Sequence, residues 1–250
     1  MSSPRVLFVH GLESHPNGSK VRLLREQGFD VVAPDLHMGT TQLSRRNSVV
    51  RQLLRLREVR FAATTFTIAV AIGIGTSKWP AATAMMLVAI IYTAVRGRRL
   101  FAAAISRSFE ACAQIAREAL TKAEPDVVVG SSWGGAIAAD LVRSEAWSGP
   151  TVLLAPAIAK ANRWMMTSAP QALASEQRLR ARSDLARIVV FHDPTDDVVP
   201  FADSEALVRG SRMSLRAVDG GGHRLMALMQ RGEVSQAIHE IAGVTRASVP

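Results

Sequence analysis

The serine at position 132 lies in a short pattern that presents nucleophiles in many enzymes. Gly130, Ser132 and Gly134 form G-x-S-x-G, directly after an apolar run at residues 127–129 and before an alanine-rich helical stretch. On a tight strand-to-helix turn of this kind the serine is held in a strained conformation, beside a helix N-terminus that favours developing negative charge. The pattern predicts Ser132 as a nucleophile. The structural alternative is a glycine-rich turn with a buried serine.

Two later loops carry the groups that such a serine needs. Asp193, Asp196 and Asp197 follow a predicted strand at residues 188–191, and His223 follows three glycines at the end of another predicted strand. An imidazole accepts the serine proton effectively when a carboxylate fixes its tautomer and stabilises the imidazolium. The sequence therefore offers a nucleophile, an acid and a base in that order along the chain.

Short apolar runs that alternate with helical stretches predict the elements that position these loops. Six strands are predicted, at residues 5–9, 29–33, 126–129, 151–154, 188–191 and 214–218. Helices are predicted at residues 20–27, 100–122, 135–143, 177–186, 201–208, 225–229 and 234–241. Strands that are apolar throughout and separated by helices are typical of a parallel sheet covered on both faces. We expect an α/β fold with a mostly parallel sheet of about six strands and functional loops at the strands' carboxyl ends.

The chain order of serine, acid and histidine resembles that of the α/β-hydrolase superfamily, which places these residues on loops after successive strands. The resemblance covers nearly all of the chain outside residues 45–99. The loop at residues 192–200 is similar to the superfamily's H-G-x-x-D-x-x-V-P loop, with Asp196 on the acid position. Asp193 stands where the family usually has glycine, which leaves Asp193 and Asp197 as weaker candidates for the acid. The resemblance thus implies a triad of Ser132, Asp196 and His223.

The N-terminal segment resembles another part of the same superfamily. Residues 6–11 are similar to its first strand and H-G turn, and residues 10–20 are similar to the start of small single-domain bacterial esterases. By that resemblance the backbone N–H groups of Leu12 and Trp133 form the oxyanion hole, and His10 shapes the turn. The activity implied is hydrolysis of a carboxylic ester or thioester through an acyl-serine intermediate, with no metal and no organic cofactor.

The substrate is expected to be a small-molecule acyl ester or thioester, and lipid-derived esters would suit a site near a membrane. Residues 157–171 lie where relatives build part of the acyl pocket, and Trp164, Met165 and Met166 would serve there or in ordinary core packing. A hydrolase-like binding or scaffold protein without activity is the alternative function.

The composition points to a reduced intracellular environment. Cys112 is the single cysteine, so there is no internal disulfide framework, and no Cys/His cluster has zinc-like spacing. No secretory signal precedes the first predicted strand, which starts at Arg5. We therefore expect the catalytic body to lie in the cytoplasm.

The net charge of +9 is concentrated in one segment, residues 45–99. Nine arginines and Lys78 lie there with a single acidic residue, Glu58, so that the rest of the chain is electrically balanced. Within this segment residues 61–77 and 81–95 carry no charge, and arginines flank the pair on both sides. The catalytic domain is accordingly predicted at residues 1–44 and 100–250, with residues 45–99 as an inserted helical hairpin.

Three interpretations of the hairpin compete. A two-helix membrane hairpin with cytoplasmic arginine flanks explains the length, the missing charges and the arginines together. Trp79 at its tip and Tyr92 near its return would then be interfacial anchors. A shallow hairpin in the membrane interface, favoured by short arms, and a buried lid or dimer contact are the alternatives. Nucleic acid is not expected as a partner, because the arginines adjoin an apolar run without aromatic stacking residues; anionic lipid headgroups suit them better.

Overall fold

The computed structural model describes residues 3–76 and 79–247 of the chain. Its strands are β1 Arg5–Val9, β2 Asp30–Val32, β3 Val127–Ser131, β4 Thr151–Leu154, β5 Ile188–His192 and β6 Ser214–Ala217. Its helices are α1 Ser19–Glu26, α2 Val49–Leu54, α3 Arg57–Thr76, α4 Trp79–Ala123, α5 Trp133–Arg143, α6 Ile158–Trp164, α7 Ala169–Ala186, α8 Phe201–Val208, α9 Met226–Gln230 and α10 Glu233–Ala247. The end of the first predicted apolar arm, Ser77, and the neighbouring Lys78 lie outside the described residues.

The six strands form one sheet in the order β2-β1-β3-β4-β5-β6, and every neighbouring pair is parallel. The predicted fold class is thereby confirmed. Parallel neighbours require crossover connections, which the helices between the strands supply. The chain leaves β1 toward β2 on one side and returns to β3 on the other, so the strand order reverses between β1 and β3. Ligands of open α/β sheets bind outside the carboxyl ends of the strands at such a reversal.

Alternate side chains of the central strands face two separate hydrophobic cores. On β1, Leu7 and Val9 face the core made chiefly with α4 and α5, whereas Val6 and Phe8 face the core made with α1, α9 and α10. All four side chains are at most 2% exposed. This burial on both faces explains why the strands are continuous apolar runs instead of alternating ones.

The predicted helix at residues 100–122 is the second half of a longer helix, α4, which starts at Trp79. Proline is absent between Ala81 and Ala123, and the arginines at 96, 98 and 99 favour the helical state. The helix therefore continues from the apolar insert into the body. Its second half is buried at Ala104, Ile105, Cys112, Ala113 and Ala116, where it packs against the sheet.

The insert is an antiparallel pair of helices, α3 and the first half of α4. Small side chains lie at their contact: Ala62, Ala69 and Gly73 are buried on α3, and Ala82 and Ala89 are buried on α4. Small residues at a helix contact let two backbones approach closely, as in membrane helix pairs. The Trp79 ring covers Gly73, where an added Cβ would lie 2.8 Å from the ring.

The outer faces of these two helices are apolar and exposed. Large side chains exposed on these helices are the following: Phe61, Phe66, Ile68, Ile74, Leu87, Val88, Ile90, Ile91 and Val95. Both helices are long and apolar enough to cross a membrane, and only 17% and 11% of their most apolar windows are buried. Within the described residues, nothing in the chain itself covers this surface.

Candidate active site

Ser132 occupies the turn between β3 and α5 in a conformation that most residues avoid, with φ 55° and ψ −116°. Its backbone N–H donates to the Leu154 carbonyl at the end of β4 (2.8 Å). Its own carbonyl accepts from the N–H groups of Ala136 (3.2 Å) and Ala157 (3.0 Å). Because the surrounding backbone fixes the turn through three hydrogen bonds, the strain is retained and the side chain is held at the carboxyl edge of the sheet.

The glycines around Ser132 are required by close approach of backbone segments. A Cβ on Gly130 would lie 2.6 Å from the Ala138 side chain and from the Gly134 carbonyl. A Cβ on Gly134 would overlap the carbonyl oxygen of Val9, at the end of β1. The G-x-S-x-G pattern is therefore what allows α5 to start directly against β1 and β3.

The structure brings the three predicted triad residues into one hydrogen-bonded chain. Ser132 Oγ lies 2.9 Å from His223 Nε2, and His223 Nδ1 lies 2.8 Å from Asp196 Oδ2. Asp196 Oδ1 accepts the backbone N–H groups of Val198 (2.8 Å) and Val199 (2.9 Å). Burial of Asp196 acts to raise its pKa, but these N–H groups and His223 outweigh it, so its pKa is lowered and it is ionised.

A second imidazole supports the same carboxylate. His192 is fully buried, and its Nε2 lies 3.0 Å from the Val199 carbonyl and 3.2 Å from Asp196 Oδ2. Its Nδ1 lies 2.7 Å from the Ser204 hydroxyl. A proton on Nε2, with Nδ1 accepting from Ser204, satisfies every one of these contacts with a neutral ring. His192 therefore helps to hold Asp196 in place, a role that the sequence did not indicate.

Asp193 joins the acid loop to the histidine loop. Its buried Oδ2 accepts the N–H groups of Gly221 and Gly222 at 2.6 Å each, and Oδ1 accepts the N–H and hydroxyl of Thr195 at 2.7 Å each. Burial acts to raise its pKa, and these four donors lower it to about 2. The carboxylate at the family's usual glycine position thus fastens the turn that precedes His223. Asp197, the other alternative acid, is exposed.

The turn after β1 lies directly against the serine. A Cβ on Gly11 would be 3.3 Å from Ser132 Cβ. His10 is buried, accepts the Leu36 N–H at Nε2 (3.4 Å) and faces the Gly11 carbonyl with Nδ1 (3.0 Å). Burial lowers the pKa of His10, so a neutral ring shapes this turn. Among the described residues, the backbone N–H groups of Leu12 and Trp133 have no acceptor.

Two of the residues expected in the acyl pocket or in core packing, Trp164 and Met165, lie in an aromatic cluster. Trp164 lies 6.0 Å from Trp133 and 6.4 Å from Phe101 between ring centroids, and Met165 packs against the same core. A cavity of about 510 Å³ beside Ser132 is lined by neither residue. The cavity lies away from this aromatic cluster, between the turn after β1, the start of α1 and the loop that carries His223.

Neither the single cysteine nor a metal cluster offers a second reactive centre in the described part of the chain. Burial raises the pKa of the Cys112 thiol to about 12, which keeps it protonated. No group of three or more His, Cys, Asp or Glu side chains in residues 3–76 and 79–247 is placed to hold a metal ion.

The chain is similar to several solved structures. TT1662 from Thermus thermophilus aligns over 96% of this chain and 89% of its own length, with a TM-score of 0.54 and 17% identity. A protein from Xanthomonas campestris pv. campestris described as a putative hydrolase of the alpha/beta superfamily aligns over 98% and 99%, with a TM-score of 0.45 and 22% identity. Est1E from Butyrivibrio proteoclasticus aligns over 95% and 89%, with a TM-score of 0.47 and 12% identity. No protein-family model and no curated protein matches the sequence. At such identities the TT1662 alignment shows a common fold alone.

Replacing Asp193 by Asn tests whether its carboxylate holds the loop that precedes His223. Because the carboxylate has a pKa of about 2 against 3.8 for a free aspartate, its stabilisation is complete above about pH 4 and is lost as the pH falls toward 2. We expect Asp193→Asn to lower the melting temperature at pH 7 by about 5 to 10 °C and to flatten its fall between pH 4 and 2. Differential scanning fluorimetry measures both, with Asp197→Asn as the exposed control. An acid dependence equal to that of the wild type would contradict the assignment.

Proposed function

We propose that this chain, which has the α/β-hydrolase fold, is a membrane-associated serine hydrolase that cleaves a carboxylic ester or thioester through an acyl-serine intermediate. The observation that carries the proposal is the position of His223, which bridges Ser132 Oγ (2.9 Å) and Asp196 Oδ2 (2.8 Å) through its two ring nitrogens. A chance serine on a glycine-rich turn would lack this relay. The buried, ionised carboxylate gives the imidazole one tautomer, with its free lone pair directed at the serine.

In the acylation step Ser132 Oγ attacks the carbonyl carbon of the ester while its proton passes to His223 Nε2. Asp196 stabilises the imidazolium without taking the proton. The oxygen of the tetrahedral intermediate becomes negative, and the N–H groups of Leu12 and Trp133, which have no acceptor among the described residues, are the donors available for it. Removal of one such donor costs about 3 to 4 kcal/mol of transition-state stabilisation in other enzymes.

The intermediate then collapses with loss of the leaving group. His223 returns its proton to the departing alcohol or thiol, and Ser132 keeps the acyl group as an ester. In the second half of the reaction a water molecule gives its proton to His223 and attacks the acyl carbon, and the carboxylic acid leaves as Ser132 recovers its proton. The same imidazole acts as base and then as acid in both halves.

Membrane association is the second part of the proposal, and the exposed faces of α3 and α4 support it. The uncharged arms would be about 24 Å long in α3 and about 22 Å long in α4, somewhat shorter than a hydrocarbon core of about 30 Å. Flanking residues and arginines whose side chains extend to the headgroups would complete the span. The hairpin as a whole starts and ends near the body, so the arginines that flank it would lie with that body on the cytoplasmic side.

The serine mechanism predicts that Ser132→Ala abolishes hydrolysis of short p-nitrophenyl esters. The loss in kcat should be at least about 10⁴-fold, because the acyl-serine intermediate cannot form on alanine. The release of nitrophenol from purified protein in nonionic detergent measures it, with Ser44→Ala, at an exposed position of the body, as the control. If the Ser132→Ala variant hydrolysed the esters as fast as the wild type, the serine mechanism would be wrong and the scaffold alternative would be favoured.

The membrane hairpin predicts that two lysines in the middle of the exposed face release the protein from membranes. Ile68→Lys combined with Val88→Lys places two charges in the hydrocarbon core, at a cost of about 2.5 to 3.5 kcal/mol each. The wild type should stay in the membrane pellet after alkaline carbonate extraction, and the double variant should move in large part to the supernatant. Leu43→Lys with Leu173→Lys, at exposed positions of the body, is the matched control. Wild-type protein in the carbonate supernatant would favour the buried lid or dimer instead.

A further inference from the structure

We propose that the cavity beside Ser132 is an anion subsite, and that the ester or thioester cleaved there carries a carboxylate or phosphate group. The inference rests on the proposed function and adds the substrate class to it. Three cationic side chains, Lys20, Arg22 and Arg224, line this cavity of about 510 Å³ together with Ser132 and His223. The catalytic body as a whole is electrically balanced, so this concentration of positive charge at the nucleophile is local.

Lys20 places its ammonium group next to the nucleophile's own turn. Its Nζ donates to the hydroxyl of Ser131 at 2.6 Å, and Ser131 directly precedes Ser132. The side chain is partly buried, and burial together with the nearby Arg224 lowers the pKa of Lys20 to about 8. An ammonium group has three donors. Ser131 uses one of them, which leaves two for a ligand.

In the part of the chain that the structure describes, no ion pair joins Lys20, Arg22 or Arg224 to a carboxylate. Within the described residues, neither the Arg22 nor the Arg224 guanidinium has a hydrogen bond or an ion pair. The acidic side chain that lines the cavity, Glu13, accepts both the N–H (2.5 Å) and the hydroxyl (2.6 Å) of Thr40. Asp196 lies behind His223 and is occupied by the relay. Two like charges near one another in a partly enclosed cavity are unfavourable unless an anion binds between them.

The position of Arg224 ties this site to the reaction. It directly follows His223 in the sequence, and its exposed side chain reaches the same cavity as Lys20. An anionic group held by Lys20 and Arg224 would therefore sit on one side of the scissile carbonyl while Ser132 and His223 act on it. Charge-assisted hydrogen bonds from such a pair orient a substrate as well as bind it.

The test compares esters that differ in one charge. Mono-4-nitrophenyl adipate and 4-nitrophenyl hexanoate differ on the acyl side, where the first ends in a carboxylate and the second in a methyl group. The butanoyl esters of 4-hydroxybenzoate and of methyl 4-hydroxybenzoate differ on the leaving-group side, where the first carries a carboxylate and the second an uncharged methyl ester. For at least one pair we expect Lys20→Met and Arg224→Gln each to lower kcat/KM of the anionic ester about 10- to 100-fold. The neutral partner should change less than about threefold. The pair that responds identifies the side on which the anion lies.

The variants also separate a binding role from a structural one. If Lys20→Met lowers the rate of neutral and anionic esters equally and Arg224→Gln changes neither, Lys20 merely supports the serine turn and the inference is wrong. Full-length protein with Ser132→Ala, titrated calorimetrically with the same ligands, gives a readout without turnover. If no ester is hydrolysed but the anionic ligand binds in a Lys20-dependent manner, the proposed function fails and the anion subsite stands. Rapid hydrolysis with no preference for charge would overturn the anion subsite and leave the proposed function standing.

Discussion

The candidate site depends on the contact between the start of α5 and the end of β1. Gly134 lies so close to the Val9 carbonyl that even a methyl group would overlap it, and Gly130 and Gly135 are similarly enclosed. This contact forces the chain between β3 and α5 into the strained turn at Ser132, and it brings the N-terminal N–H of α5 beside the Gly11-Leu12 turn. One constraint of backbone packing thus presents the hydroxyl and aligns the two candidate oxyanion donors at the point where the strand order reverses.

The remaining parts of the site are fastened to this turn by side chains. Asp196 is held by backbone N–H groups and by His192, and Asp193 connects the same loop to Gly221 and Gly222. The tautomer of the His223 imidazole is therefore fixed by Asp196, and its position is fixed by the loop that Asp193 holds. Such support keeps the relay at hydrogen-bond distance before any substrate arrives, so less free energy is spent on ordering it during the reaction.

The sequence predicted the fold closely because its main signals are local. Apolar runs ended by Gly or Pro located all six strands, and the order of serine, acid and histidine selected the residues that the structure brings together. The side-chain contacts that it missed are long-range, and the helices α2, α6 and the first half of α7 were missed as well. Asp193 meets glycines 28 and 29 residues away, and Lys20 meets Ser131 across 111 residues. The continuity of α4 was missed for another reason: the change from apolar to charged composition near residue 96, with Gly97 beside it, resembles a boundary, although no proline is present there.

The continuous α4 also connects the two parts of the proposed function, since one helix runs from the exposed apolar hairpin to the core under the sheet. The central claim remains that Ser132 is a nucleophile activated by His223. Reaction of the full-length protein with a fluorophosphonate, followed by mass spectrometry of the peptides, tests it most directly. We expect a single adduct on Ser132 that forms at least about 10³-fold more slowly in His223→Ala. Absence of an adduct on Ser132, or equal labelling of the His223→Ala protein, would contradict it.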